Sequence, residues 1–284
     1  MTLAAGLMLV SAVSHAVIGT LMKAQEDKLV FRGILGTVCA LFVLPFTFVV
    51  AVPPAPVWVW LGIGAGLHFT YQLSQVAAFN RGDMGLVYPV MRGVAPLLVG
   101  LFAFVILQER LSPEAIAGLA IVAASLIGFG WQSSSSSVKS GSKSWRAAVG
   151  FAVLCGALTA AYTVIDAKGI RVSGDRLSYL VWFFLIDGIG IAIIAAVFRG
   201  KKLKAALRPQ MRSGIVAGGL SLVSYGAALI ALSLGPAAPL AAIRETSVIF
   251  GAIFAALVLK EKFGARRIAL SCALAFGLTL MQMG

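Results

Sequence analysis

Charge is scarce in this sequence. Charged residues fill 12% of its 284 positions, about half the roughly 25% usual in soluble domains. Acidic groups are the scarcest, with 10 Asp and Glu against 23 Lys and Arg. Two histidines exclude an imidazole-rich metal cluster. The three cysteines, Cys39, Cys155 and Cys272, lie far apart inside apolar runs, without ligand or disulfide spacing. No glycine loop ending in GK[ST] is present, so ATP drive is not expected. No HExxH, CxxC or GxSxG element occurs either, and nothing calls for an enzyme, a metal or a cofactor.

Apolar surface is what fills the space. Hydrophobic residues make up 60% of the chain, more than one soluble core can hide, so lipid must be the solvent. Ten segments approach the length of about 20 residues that a spanning helix needs. They are 3–23, 32–51, 57–79, 85–107, 113–131, 146–166, 177–198, 210–233, 236–259 and 264–283. No Lys or Arg precedes the first run, and more runs follow, so it reads as a retained span and not a signal peptide. The breaks are chemical. Pro53, Pro54 and Pro56 cannot continue a helix. Arg81-Gly82-Asp83 reads as a tight turn, 199–209 as a basic surface loop, and Gly235-Pro236 as the eighth-to-ninth junction. The formal charge of +13 sits mostly between the runs, which points to anionic lipid headgroups and not to nucleic acid. This is the pattern of a multi-pass protein of the inner (plasma) membrane.

The chain repeats itself. GLFAFVILQERLS at 100–112 returns as AIFAALVLKEKFG at 252–264. An offset of 152 pairs Phe102 with Phe254, Glu109 with Glu261 and Arg92 with Arg244. A first repeat over 1–131, a Ser-rich linker over 132–145 and a second repeat over 146–284 follow. Each half has five spans, and two copies of an odd-span unit in series must point in opposite directions. The expected fold is therefore an all-α membrane protein of ten helices in two inverted five-helix repeats, an arrangement common among carriers. Most loop Lys and Arg fall on the side opposite the termini, which by the positive-inside rule puts the termini outside.

Polar residues inside the spans mark the candidate site, because each charge at a helix centre costs about 2.5–3.5 kcal/mol to insert. Arg92 lies in the fourth span, Arg244 and Glu245 in the ninth, Asp187 at the centre of the seventh, and His15 and His68 in the first and third. Stripes at helical spacing add His68, Tyr71, Gln72 and Gln75; Cys155, Thr159, Tyr162, Thr163 and Asp166; Tyr88 with Arg92; and Ser221, Ser224 and Tyr225. Facing stripes would line a wet cavity. Pro89 and Pro96 bracket Arg92, and Pro236 and Pro239 precede Arg244, so bent helices beside a charge are expected. Gly62 and Gly66 read as a helix-contact pair. Spans five and ten carry almost nothing polar inside and should face lipid, or a second copy in a homodimer.

NRGDMGLVYPVMRGVAPLL (80–98), QERLSPEAIAGLAIVAASLIGFG (108–130) and LKEKFGARRIALSCALAFGLTL (259–280) resemble elements of the drug/metabolite transporter superfamily. The likeness is to its ten-helix EamA-type members and runs over nearly the whole chain. It implies alternating access, a cavity lined by spans one to four and six to nine, and termini in the cytoplasm, opposite to the charge count. The chain departs from the pattern at Ile18-Gly19, where a Trp-Asn pair would be expected, and after Arg244, where the GxxP that follows Arg92 is missing. The expected function is secondary export or exchange of a small anionic or zwitterionic metabolite. Arg92 and Arg244 would grip its anionic group, with Tyr88, His15, His68, Tyr71, Gln72, Tyr162 and Tyr225 around it. Glu245, Asp187 and His15 are candidates to carry a coupled proton. The alternative is a membrane scaffold or sensor subunit that moves nothing.

Overall fold

Long apolar runs without β-branched alternation leave the chain one way to satisfy its backbone in lipid, which is helix. The computed structural model describes residues 2–81, 84–131, 143–250 and 265–283. It contains α1 (Thr2–Lys23), α2 (Lys28–Val43), α3 (Ala55–Phe79), α4 (Met84–Phe102), α5 (Pro113–Trp131), α6 (Lys143–Ser173), α7 (Arg176–Arg199), α8 (Leu203–Leu234), α9 (Ala237–Arg244) and α10 (Ala265–Met283). Leu3–Met22, Lys28–Phe48, Val90–Leu107, Lys143–Ser173 and the run Arg176–Leu234 are long and apolar enough to cross a membrane. Phe48 and Val49 are 87% and 82% exposed, and Val197 and Phe198 are exposed as well. Leaving such side chains in water forfeits about 1.5–3 kcal/mol each, and lipid contact removes that penalty. The protein is an all-α membrane protein.

Three boundaries differ from expectation. The basic stretch 199–209 is not a loop. A 3-10 turn, Gly200–Lys202, leads into α8, which starts at Leu203 and carries Pro209 inside it. Helix formers at Leu203, Ala205, Ala206 and Leu207 outweigh a proline that sits only two turns from the start. Helix α6 runs 31 residues, about 46 Å at 1.5 Å per residue, and takes in Lys168 and Arg171. The ninth span is broken, as described below. Gly82, Asp83, the serine run and Glu261 lie outside the described residues.

Arg171 ends up inside a helix because the prolines beyond α8 create partners for it. Pro236 and Pro239 have no N–H to give to the carbonyls four residues earlier, at Leu232 and Gly235. The Arg171 guanidinium donates to both, from Nε to Leu232 at 2.9 Å and from Nη2 to Gly235 at 2.6 Å.

The chain forms two compact units, and neither is a sequence half. One holds 1–69 and 165–235, the other 70–164 and 236–284. Helices α3 and α6 each contribute to both. In the first unit, α2 and α7 cross at Gly36 and Gly188, which are repeat-equivalent at the offset of 152. A Cβ on Gly36 would lie 3.0 Å from the Gly188 carbonyl oxygen, and one on Gly188 would lie 2.3 Å from the Gly36 oxygen. Gly33 meets Ala195 and Gly188 meets Ala40, so the pair is antiparallel. Equivalent residues touching across an antiparallel crossing fit an inverted repeat. In the second unit, α5 and α10 pack together, Gly118 against Gly277, around Leu119, Val122, Leu126, Leu274 and Met281. The bare fifth and tenth spans therefore bury one face on each other, while Ile116 and Phe276 stay exposed. Gly62 and Gly66 are not a contact pair, since a Cβ on either would meet nothing within 4 Å.

Outside the spans, Asp27 caps α2 by accepting from the Leu29 and Val30 N–H groups, and it pairs with Arg199 at the end of α7. Burial pushes its carboxyl upward, but the Arg199 hydrogen bond and charge and the two backbone donors outweigh it, so its pKa lies below the usual carboxylate value. The sign follows. Stability from this group is present above the unfolded-state value and is lost as pH falls through the folded one. Asp27→Ala is expected to cost about 1 kcal/mol at neutral pH, chiefly through the lost cap. Thermal unfolding should show the gap between variant and wild type closing below about pH 4. A gap that does not begin to narrow as pH falls below about 4 would refute this account.

Candidate functional site

In the second unit the fourth and ninth spans meet at charge. Helix α9 is only eight residues long and stops at Arg244. Glu245 and Thr246 form a tight turn, with N–H bonds three residues back to Ala242 and Ile243, both 3.0 Å. Helix resumes at 247–250. Arg92, buried on α4, donates from Nη1 to both Glu245 oxygens, at 3.1 and 3.3 Å. The Arg244 charge also acts on the Glu245 carboxylate. Pro96 cannot donate to the carbonyl of Arg92 itself.

The N-terminus of α9 is held from the other repeat. After the π-turn Ala103–Leu107, Gln108 takes the left-handed conformation at φ 57° and reverses the chain. Glu109 then accepts the Ala237 N–H at 2.7 Å. A carboxylate at this position both caps the helix and favours its dipole. This gives the Glu-containing turn its physical purpose: it seats the short helix that presents Arg244.

The same unit also buries Tyr71, Gln72, Gln75 and Tyr162. The Tyr71 and Tyr162 rings meet edge to face at 5.3 Å, and Gln75 Nε2 donates to the Tyr71 hydroxyl at 2.8 Å. Ser247 is fully buried just past the helix break, and its hydroxyl has no hydrogen-bond partner among the described residues.

The first unit holds a second polar cluster. His68 Nε2 lies 2.8 Å from Asp166 Oδ2. The Tyr225 hydroxyl donates to the same oxygen at 2.6 Å and lies 3.2 Å from His68 Nε2. The Tyr179 hydroxyl donates to Oδ1 at 3.4 Å. Gly64 on α3 lets the carboxylate approach, since a Cβ there would lie 2.6 Å from Asp166 Oδ1. Phe183 packs edge-on against His68 and stacks on Tyr225.

The residues expected from sequence thus divide between two groups. Arg92, Arg244, Glu245, Tyr71, Gln72 and Tyr162 belong to the second unit, and His15, His68, Tyr225 and Asp187 to the first. His15 is half-buried on α1, one turn from Ser11, whose carbonyl accepts from the Ser224 hydroxyl at 2.9 Å. Asp187 is half-buried on α7, and its charge acts on the Cys39 thiol. The Tyr88 side chain lies outside the described residues. Sequence reasoning missed Tyr179 and Ser247 and did not promote Asp166. Asp166 was visible in the α6 stripe with Tyr162, and Ser247 in the polar run after Arg244.

A search against family patterns finds the EamA-like transporter family, matched twice, over 2–131 and 146–283. No curated protein matches the chain. Among solved structures, one titled only "Crystal structure of protein" is 16% identical, with a TM-score of 0.74 over 99% of this chain and 96% of that one. That likeness supports the fold alone.

Proposed function

The chain belongs to the EamA-like transporter family, and from that premise we propose that it is a secondary carrier for a small anionic or zwitterionic metabolite. It works by alternating access, in export or exchange. The observation that carries this reading is the buried group of Arg92, Arg244 and Glu245 at a break in the ninth span. Each ion buried inside an apolar span costs several kcal/mol, and such residues mark ligand paths in membrane proteins. They make sense if the acidic partner can be exchanged. A substrate carboxylate or phosphate would take the place that Glu245 occupies on Arg92, and would gain Arg244 and the Ser247 hydroxyl as donors. Tyr71, Gln72 and Tyr162 would shape the rest of the site. His68 and Tyr225 belong to the separate polar cluster around Asp166 and are left out of the substrate shell.

The test is uptake into proteoliposomes of an equimolar mixture of L-amino acids, di- and tricarboxylates and small phosphorylated acids, read by mass spectrometry. Wild type is expected to accumulate at least one anionic or zwitterionic solute unchanged. Arg244→Ala, shown folded by its melting curve, should lose about tenfold or more of that flux, the worth of one charge-assisted hydrogen bond. Absence of accumulation above empty vesicles in either gradient direction would overturn the carrier reading.

A further inference from the structure

We infer that a groove in the second unit, between the end of α4 and the start of α5, binds one anionic phospholipid, with an acyl chain along its apolar walls and the headgroup on Arg110. The inference concerns a ligand of the protein and not the solute it carries. It does not depend on the carrier reading.

The groove follows from the turn that ends the fourth span. The apolar run Val90–Leu107 is long enough to cross a membrane, and the chain then reverses at Gln108. The two arms of the reversal do not close fully on each other. They leave a groove of about 500 Å³, within the roughly 300–1,000 Å³ usual for small-molecule sites. Leu101 and Phe104 line it from the arm before the turn, and Ile116 and Leu119 from the arm after it. Gly100 brings the arms together at its floor, since a Cβ there would lie 2.9 Å from Leu119 Cδ2 and 3.4 Å from Leu111 Cδ1. Among the described residues that line the groove, one is charged, and it is Arg110.

Depth and charge together define the occupant. Leu101 and Phe104 belong to the spanning run, and both they and Ile116 are more than half exposed. The groove therefore opens outward at a level where the surroundings are acyl chains. A soluble anion would gain nothing from such walls, whereas an acyl chain gains packing contacts on both sides. Arg110 is exposed and lies three residues past Leu107, where the run ends. A guanidinium at that point stands at headgroup depth, and its fork suits a phosphate. Basic groups beside apolar clefts are how membrane proteins hold anionic headgroups. The neighbouring acid, Glu109, is engaged with the Ala237 N–H. A chain lying in the groove touches both arms of the turn from which Glu109 caps α9.

Photolabelling in vesicles tests the site. The probes are phosphatidylglycerol and phosphatidylcholine with a diazirine on the acyl chain, at equal mole fraction. Labelled peptides are mapped by mass spectrometry. Labelling within 101–119 is divided by that at Phe48 and Val49, which are exposed and report ordinary lipid contact. In wild type this ratio is expected to be about fivefold higher with phosphatidylglycerol, the worth of one cation beside an anionic headgroup. Arg110→Gln should remove the preference, and Arg110→Lys should keep most of it. Ile116→Trp fills the groove with Arg110 in place, and should lower labelling by either lipid. Excess glycerol 3-phosphate, a headgroup without a chain, should not compete. Equal labelling by the two lipids in wild type would reduce the groove to ordinary lipid contact and overturn the inference. A preference that survives Arg110→Gln, or is lost equally in Arg110→Lys, would overturn the role of the charge. Undiminished labelling in Ile116→Trp would put the lipid elsewhere, and displacement by glycerol 3-phosphate would make this a site for a soluble anion; either overturns the inference. None of these readouts needs transport, so the result stands apart from the carrier reading.

Discussion

Arg92→Ala is expected to lower the stability of the purified protein by about 3 kcal/mol and to abolish solute uptake. The stability loss comes from Glu245, not from the missing guanidinium contacts. Arg92 and Glu245 are 3% and 4% exposed, so removing the cation leaves a carboxylate buried without its hydrogen-bond donor. Arg244 remains nearby and holds the penalty toward the lower end of the range for broken buried pairs. The double variant Arg92→Ala/Glu245→Gln separates structure from function. Neutralising Glu245 removes the stranded charge, so unfolding should recover by about 2 kcal/mol relative to Arg92→Ala. Uptake should not recover, because the anion has lost its guanidinium. Denaturation in mild detergent gives the first quantity and proteoliposome flux the second. A double variant as unstable as the single one would mean that Arg92 packs and does not pair. Recovered flux would remove Arg92 from the substrate site.

The charged part of this site was legible because charge is so rare in the chain. A guanidinium inside an apolar run has no cheap explanation, and its return at the same offset doubled the signal. Asp166 was harder to read for a reason that lies elsewhere in the sequence. It stands two residues from Lys168 and five from Arg171, which looks like the approach to a loop. Helix α6 nevertheless continues to Ser173, and Arg171 is housed by carbonyls that Pro236 and Pro239 leave open. A local reading cannot see a partner more than sixty residues away. The broken ninth span was foreshadowed by its prolines, but the break falls at Glu245, beyond them, where the chain turns and Glu245 meets Arg92. Glycine spacing misled at Gly62 and Gly66, since the spacing of small residues says nothing about which face meets a neighbour. The repeat offset would have served better, because it links Gly36 to Gly188 directly.

That crossing supports the other large expected effect. Gly188→Ala should destabilise the protein by about 1–3 kcal/mol, the cost of overpacking a close contact. The new Cβ would stand 2.3 Å from the Gly36 carbonyl oxygen. A backbone atom cannot rotate aside, so α2 and α7 must separate. Gly36→Ala meets Ile191 at 2.3 Å and the Gly188 oxygen at 3.0 Å, and should cost a similar amount. Gly62→Ala is the control. It is exposed on α3 with open space around it, and alanine's better helix propensity should leave it neutral or more stable by up to about 1 kcal/mol. Thermal melts of the three variants rank these effects. The double variant Gly36→Ala/Gly188→Ala then tests the repeat geometry. Because the two residues press on each other's backbone, either methyl alone already forces the helices apart. The second should add clearly less than its single cost. Full additivity would mean that the two glycines relax independently, and that the inverted halves do not meet at this point.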